Sequence, residues 1–442
     1  MNADWIAACA IAAVCAAAGG CAQAETMDTL AERYVKLVLA VGQHDPDYVD
    51  AYYGPPEWRK EAGASKRAVS DIDREAADLL KQVAARAPGE DAEELVQLRH
   101  AYLTRQLEAL RARVAMLQGT RLKFDEESKA LYDAVAPTHT AADFEKVLAE
   151  IDRALPRRSG SQAPQPSLVE RYEEFRKEFV IPPDRLDRVF KAAIDGCRSR
   201  TLEHITLPPS ESFTVEYVTK KSWSAYNWYQ GNYRSIIQVN TDLPIYIERA
   251  IDLACHEGYP GHHVYNALLE KNLMRDRGWQ EFSVYALFSP QSLIAEGTAN
   301  FGVEVAFPRP ERLAFEERVL FPAAGLDPSR ASRYYDVLAL VDQLSYAGNE
   351  AARRYLNGEI DAKAAADWLE KYGLYSRPRA EQRVRFMDQY RSYVINYNLG
   401  KDMVAAYVAA RGGTPDQSSR QWAVFEELIS SPRLPSGLRG NH

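Results

Sequence analysis

The chain has little cysteine, few histidines and no excess of basic residues. Of its five cysteines, only Cys197 and Cys255 remain once the first 24 residues are set aside. Two cysteines do not make a disulfide framework, so Cys255 is predicted to be a buried packing residue. The net charge of −8 and the pI near 5.7 argue against nucleic acid as a partner. Beyond residue 24, no segment is apolar enough to span a bilayer.

The first 24 residues form an apolar stretch that is typical of export. The run from Trp5 to Ala18 is too short for a comfortable membrane span. Ala22-Gln23-Ala24 fits the cleavage pattern of a secretory signal, whereas Cys21 could instead carry a lipid. We therefore predict an exported protein, either periplasmic or held at the membrane only through an N-terminal lipid.

Hydrophobic periodicity predicts a helical N-terminal domain over residues 25–205 and a catalytic, metal-binding domain over residues 206–442. Phe213–Val218 and Tyr233–Asn240 alternate like strands, and we assign Ser235–Asn240 to bind an extended peptide by β-addition. The predicted fold class is mostly α (α+β), a helical zincin-like fold with a small sheet beside the metal-binding helix. The N-terminal helices are predicted over Thr26–Val41, Ser70–Arg86, Asp91–Leu117 and Thr140–Leu155.

Three of the eight histidines lie within the eight residues His256–His263, and Glu257 directly follows the first of them. A hydrolytic zinc site needs neutral imidazoles to hold the metal and a nearby carboxylate to take a proton from water. This stretch is not the familiar HExxH helix, whose histidines share one face. On a regular helix, His256 and His262 would point about 240° apart, and about 10.5 Å of rise would separate His256 from His263.

The residues between these histidines predict an irregular helix. Pro260 has no backbone N–H to donate, and Gly258 and Gly261 permit unusual backbone angles. A helix that is distorted after the His-Glu pair and resumes near His262 could bring that histidine back towards the first. Such irregular turns often occur at functional sites. The spacing leaves open whether His262 or His263 is the second ligand.

Glu296 is the best candidate for a third ligand. It lies in the small and apolar stretch Ser292–Asn300, thirty-three positions beyond His263. Asn300 follows one helical turn later and could orient a ligand through a hydrogen bond. The pattern therefore predicts a metal site of two imidazoles and one carboxylate.

The motif HEGYPGHH, followed by Glu296-Gly297, resembles the bacterial family called domain of unknown function 885, which is grouped with the gluzincin metallopeptidases. The resemblance implies one zinc ion per chain, held by His256, His262 and Glu296. It also implies that Glu257 is the general base.

The resemblance extends to the stretch Tyr393–Gly400 and favours Tyr397 as the residue that stabilises an oxyanion. Tyr393, four positions earlier, is a second candidate for contact with the ligands or the substrate. The chain departs from the family pattern at Thr298, where a tryptophan is usual. This departure bears on substrate preference and leaves the implied metal ligands in place.

The segment Tyr372–Arg385 is rich in arginine and could receive a substrate carboxylate in bidentate fashion. Such a run is more often a solvated helix face. The candidates within it are Arg377, Arg379, Arg383 and Arg385.

The predicted function is zinc-dependent hydrolysis of a peptide or a cell-wall peptide. Glu257 would take a proton from water and later give it to the leaving amine. The alternative is an exported metal- or peptide-binding protein without turnover. Such a protein would keep the histidines and would have no need of Glu257.

Overall fold

The computed structural model describes residues 25–157 and 166–439. The predicted signal segment, including Cys21, lies outside the described residues. The described chain is mostly α-helical with two small sheets, which confirms the predicted fold class. Across the two described ranges, no helix combines the length and the apolar character needed to cross a bilayer.

The predicted N-terminal helices are confirmed, with ends that differ by a few residues. Thr26 caps the first, where its Oγ1 accepts a hydrogen bond from the backbone N–H of Thr29 at 3.3 Å. The helices before the larger sheet are α1 (Met27–Val41), α2 (Pro56–Ser65), α3 (Val69–Ala84), α4 (Glu94–Leu117), α5 (Phe124–Tyr132), α6 (Ala141–Ala154), α7 (Leu168–Lys177) and α8 (Leu186–Leu202).

The second half of the chain supplies the remaining helices. They are α9 (Glu248–Leu253), α10 (His262–Leu269), α11 (Pro290–Ala306), α12 (Arg309–Phe315), α13 (Phe321–Ala324), α14 (Ala331–Asp342), α15 (Ala347–Leu356), α16 (Ala362–Gly373), α17 (Arg377–Tyr390), α18 (Ile395–Ala410), α19 (Ser418–Ile429) and α20 (Pro435–Leu438).

The larger sheet contains β2 (Ser212–Val218), β3 (Ala225–Gly231) and β4 (Arg234–Asn240) in the order β2–β4–β3. β4 runs parallel to β2 and antiparallel to β3. The assignment of Ser235–Asn240 to peptide addition is wrong, because β4 is hydrogen-bonded on both sides and has no free edge. The sequence also missed β3, whose aromatic residues do not show a clear alternation.

A short antiparallel ribbon joins the two halves of the chain. Its strands are β1 (Val49–Tyr52) and β5 (Val284–Ala286). One continuous apolar core also includes side chains from both halves. The domain boundary predicted at residue 205 stays a prediction, and strands and core side chains pack across it.

Helices α11 and α18 approach each other at a pair of glycines. A Cβ on Gly297 would lie 2.5 Å from the carbonyl of Gly400, and a Cβ on Gly400 would lie 2.7 Å from the carbonyl of Leu293. Both distances are far below a normal contact between a methyl group and a carbonyl. The two backbones therefore touch directly at this point.

Cys197 and Cys255 form a disulfide bond between α8 and the residue next to His256. This corrects the prediction that Cys255 is only a packing residue. The two cysteines are separated by 58 positions in the sequence, so no local pattern indicates their pairing.

Candidate metal centre and cleft

The helix that carries His256 widens at the histidine motif. α9 continues into a π-helical segment, Ala254–Gly258, and α10 begins at His262 after a short turn. Because the helix is wider here, the chain turns back towards His256 before α10 begins. The Nε2 atoms of His256 and His262 therefore lie 3.1 Å apart. The predicted irregular helix that resumes at His262 is confirmed, but the widening begins at Ala254 and not after Glu257.

Gly261 lies where this turn closes against the π-helical segment. Its N–H donates to the carbonyl of Cys255 at 2.9 Å. A Cβ at Gly261 would lie 1.9 Å from the carbonyl oxygen of His256 and 2.4 Å from that of Cys255. No side chain fits this position unless the backbone that holds the histidines moves.

We expect Gly261→Ala to destabilise the protein by about 1–3 kcal/mol, because the added methyl group overpacks a backbone contact. Zinc binding should weaken in the same variant, since both histidines adjoin the turn. Chemical denaturation and zinc titration measure the two effects. Gly63→Ala is the control, because a Cβ there meets only Gln43 at 3.7 Å. Equal stability in the two variants would contradict the expectation.

Glu296 on α11 reaches the two imidazoles. Its Oε2 lies 3.3 Å from His256 Nε2 and 3.7 Å from His262 Nε2. Glu257 is also close, with Oε1 at 4.0 Å from His256 Nε2. Ligand atoms of His256, Glu257 and His262 all lie within 4.8 Å of one another. The structure thus brings together the four residues to which the resemblance assigns the zinc ligands and the general base.

Hydrogen bonds orient two of these side chains. His256 Nδ1 lies 3.1 Å from Asn300 Oδ1, and Asn300 Nδ2 donates to the carbonyl of Tyr397 at 3.1 Å. With the amide held in this direction, Nδ1 of His256 is the donor and its Nε2 keeps a free lone pair. Tyr393 donates its hydroxyl to Glu296 Oε1 at 2.8 Å. Asn300 and Tyr393 therefore hold ligand candidates in position, as is usual around metal sites.

The cluster has the charge pattern of a site that receives a cation. Burial acts to raise the pKa of Glu296, but the two imidazoles hold this pKa well below its ordinary value. Burial acts to lower the pKa of His262, but Glu296, Glu257 and Asp50 outweigh it and raise this pKa to about 9. Without a metal, a proton on His262 balances the carboxylates.

The donor set fits a zinc ion. Glu296 Oε2 is buried and has no hydrogen-bond partner among the described residues, and a buried carboxylate oxygen without a partner is costly. Metal ligation requires both histidines to be neutral, and their two Nε2 lone pairs would then face each other at 3.1 Å, a close approach between two acceptors. A cation among these three atoms satisfies all of them, and two imidazoles with one carboxylate are a set that zinc accepts.

Glu257 is free to act as a base. Its carbonyl accepts a hydrogen bond from Asn227 Nδ2 at 2.7 Å, which fixes the backbone at this residue. No hydrogen bond to its carboxylate is present within 25–157 and 166–439. Burial raises the pKa of Glu257 above its ordinary value, although the two nearby imidazoles act to lower it. A carboxylate with a raised pKa is suited to exchange protons near neutral pH.

His263 points away from the cluster. Its Nδ1 lies 2.9 Å from Ser235 Oγ and its Nε2 lies 3.0 Å from Glu211 Oε2. Burial acts to raise the pKa of Glu211, but hydrogen bonds from His263, Tyr259 and Arg198 lower it to about 2. Both ring nitrogens of His263 are thus engaged in a buried network under the sheet.

The cluster opens into a cleft of about 1550 Å³. Tyr397 lines this cleft, and its hydroxyl has no hydrogen-bond partner in the described part of the chain. Burial and the nearby Glu296 raise its pKa, so it remains a proton donor at neutral pH. Tyr393 is already bonded to Glu296, so of the two tyrosines Tyr397 is the one with a free donor.

The arginines of α17 divide between the surface and the cleft. Arg377 lies outside the cleft and pairs with Asp367, Glu370 and Glu381. Arg379 and Arg383 line the cleft. Their spacing of four residues places them on one face of the helix. Arg377 does not line the cleft with them.

Sequence reasoning missed Asp50, which the β1–β5 ribbon carries to the cleft wall. Tyr226 donates its hydroxyl to Asp50. Burial raises the pKa of Asp50 to about 7, with His262 opposing the shift and Glu296 and Glu257 adding to it. No sequence signal links a strand near residue 50 with a motif near residue 260.

No protein-family model and no curated protein matches the chain. Among solved structures, it is similar to a protein described as "the putative lipoprotein from Colwellia psychrerythraea", with 13% identity, a TM-score of 0.47, and coverage of 82% of this chain and 69% of that one. It is also similar to the M32 carboxypeptidase from Deinococcus radiodurans R1, with 12% identity, a TM-score of 0.43, and coverage of 92% and 94%. These likenesses are too loose to assign a function, which depends on the residues of the cleft.

Proposed function

We propose that the protein is a zinc-dependent hydrolase of peptide bonds, in which His256, His262 and Glu296 hold one zinc ion. The observation that carries the proposal is the unpartnered Oε2 of Glu296, which faces two imidazole nitrogens at 3.3 and 3.7 Å. The unbonded carboxylate of Glu257 lies beside them. A protein that only stores metal has no need of this fourth group.

The chain's own residues have distinct roles in this proposal. Zinc supplies Lewis-acid chemistry, which polarises a carbonyl and makes water more acidic. Glu257 takes the proton from the attacking water and gives it to the leaving amine. Tyr397 donates its free hydroxyl to the oxyanion that develops on the scissile carbonyl. Asn300 and Tyr393 keep His256 and Glu296 oriented.

The sheet offers a place for the substrate backbone. Among the strands of the described residues, β3 pairs with β4 alone and is an edge strand of the three-stranded sheet. Its first residues, Ala225, Tyr226 and Asn227, line the cleft. We assign the extended peptide to this edge, where main-chain groups of the substrate can add to the strand.

Export from the cytoplasm agrees with the disulfide between Cys197 and Cys255. Disulfides persist in oxidising compartments and are rare in the cytosol. In this proposal the protein acts outside the cytoplasm, on peptides or on the peptide stems of the cell wall.

Metal removal tests the proposed function. We expect the purified protein to hold about one zinc per chain and to cleave short peptides or cell-wall stem peptides. A chelator should abolish cleavage, and zinc should restore it while magnesium should not. Mass spectrometry of the products separates the two substrate groups. Cleavage that survives complete zinc removal would contradict the proposal.

A further inference from the structure

Seven arginine and lysine side chains line the cleft, and two of them, Arg379 and Arg383, differ from the rest in their charge partners. The other five have carboxylate partners within the described chain. These pairs are Arg176 with Glu248, Arg249 with Asp252, Arg312 with Asp252, Arg309 with Asp336, and Lys401 with Glu304.

Arg379 and Arg383 have no carboxylate partner within residues 25–157 and 166–439. Arg379 donates only to neutral oxygens, Ser224 Oγ at 3.1 Å and Gln382 Oε1 at 3.0 Å. Arg383 lies over the rings of Phe386 and Tyr397, at 4.5 and 5.5 Å from their centres. The guanidinium groups are thus positioned by neutral and aromatic neighbours.

The surroundings of this pair favour an anion. Burial lowers the pKa of Arg379 to about 10; Tyr375 opposes this shift, while Arg249, Arg383 and Arg176 add to it. Arg379 therefore stays charged at neutral pH among other cations. Both side chains are partly buried, and charges that leave water without a partner are unfavourable. An anion that binds beside Arg379 and Arg383 is therefore stabilised.

The pair is also close to the candidate metal centre. Arg383 contacts the ring of Tyr397, whose centre lies 5.9 Å from that of Tyr393. Tyr393 in turn donates to Glu296. These three contacts link the guanidinium group to a proposed zinc ligand, and all of the side chains line the same cleft. An anion bound here can therefore belong to a substrate that also reaches the cluster.

We infer that Arg379 and Arg383 bind the free α-carboxylate of a peptide substrate, so that the protein removes residues from the carboxyl end of peptides. The inference rests on the proposed function for its catalytic part. Two guanidinium groups can each offer paired N–H donors to a carboxylate. A terminal carboxylate is present on every unmodified peptide, whereas an acidic side chain would restrict the site to a few sequences.

Binding to the inactive Glu257→Gln variant tests the inference without turnover. Isothermal titration compares three probes: N-acetyl-trialanine as the free acid, the same peptide as the C-terminal amide, and N-acetyl-Ala-Ala-Glu amide, whose carboxylate is on a side chain. We expect the free acid to bind about ten- to a hundredfold more tightly than either amide. Equal binding of acid and amide, tightest binding of the glutamate amide, or no binding of any probe would each overturn the inference.

Variants of the two arginines locate the effect. In the Glu257→Gln background, Arg379→Gln and Arg383→Gln should each remove most of the preference for the free acid, and Arg383→Lys should keep part of it. Arg377→Gln and Arg385→Gln are matched controls on the same helix, because neither side chain lines this cleft, and neither should change the preference. A preference that persists in both Arg379→Gln and Arg383→Gln would contradict the assigned residues.

The wild-type enzyme separates this inference from the proposed function. If zinc-loaded enzyme cleaves the free acid at its carboxyl end and leaves the amide intact, both are supported. If the free acid is bound selectively but never cleaved, the proposed function fails and carboxylate recognition stands. If free acid and amide are cleaved equally, hydrolysis stands and the inference fails.

Discussion

Replacing Glu257 by Gln is expected to reduce peptide hydrolysis by about 10²- to 10⁴-fold, which is the usual contribution of a general base. Gln has nearly the same shape but cannot accept the proton of the attacking water. Zinc should stay bound, because Glu296 has the closer oxygen, at 3.3 Å from His256 Nε2 compared with 4.0 Å for Glu257. Steady-state kinetics and metal analysis of the same sample measure both effects.

Glu304→Gln is the matched control for this variant. Glu304 also lines the cleft, but its carboxylate pairs with Lys401 at 2.6 Å. This substitution should leave the rate of hydrolysis within a few-fold of the wild type. Full activity of Glu257→Gln would instead favour a different base, or a protein that binds metal without turnover.

Alanine substitutions of the adjacent histidines His262 and His263 are expected to have different effects on zinc binding and on stability. We expect His262→Ala to lose zinc, because it removes one of three proposed ligands. We expect His263→Ala to keep about one zinc per chain and to lose about 1–3 kcal/mol of stability, because Glu211 and Ser235 lose a buried hydrogen-bond partner. Metal analysis and chemical denaturation of both variants measure the two effects. We expect zinc loss for His262→Ala, and retained zinc with lower stability for His263→Ala.

The reverse result would overturn the proposed ligand set. Zinc lost from His263→Ala and retained in His262→Ala would require the buried network around Glu211 to rearrange. Zinc lost from both variants at unchanged stability would mean that both histidines contribute to the metal site. A fully zinc-loaded wild type is the reference in each case.

Local chemistry explains why the sequence predicted the irregular metal helix. His256 and His262 cannot meet on a regular helix, and Pro260 with its neighbouring glycines indicates where the helix must change. The sequence could not by itself separate His262 from His263, because that choice depends on Glu211, some fifty positions earlier. Only the folded chain shows that both nitrogens of His263 are already engaged.

Contacts between distant segments account for what the sequence missed. Asp50 reaches the cleft only because β1 pairs with a strand more than 230 positions later. The Cys197–Cys255 disulfide has the same origin. The arginine run of α17 predicts a cationic face, but the carboxylates that neutralise Arg377 come partly from the preceding helix, α16. Periodicity within one segment contains none of this information.

The contact between Gly297 and Gly400 limits how this protein can diverge. Because each glycine touches the backbone of the opposite helix, no smaller partner residue exists that could make room for a side chain on either. A larger residue at one position therefore cannot be compensated by a smaller residue at the other, as it can for most pairs in an apolar core. Glu296 directly precedes one glycine and Tyr397 lies one turn before the other, so we expect the two helices to change together, if at all, while the surrounding cleft residues are free to vary.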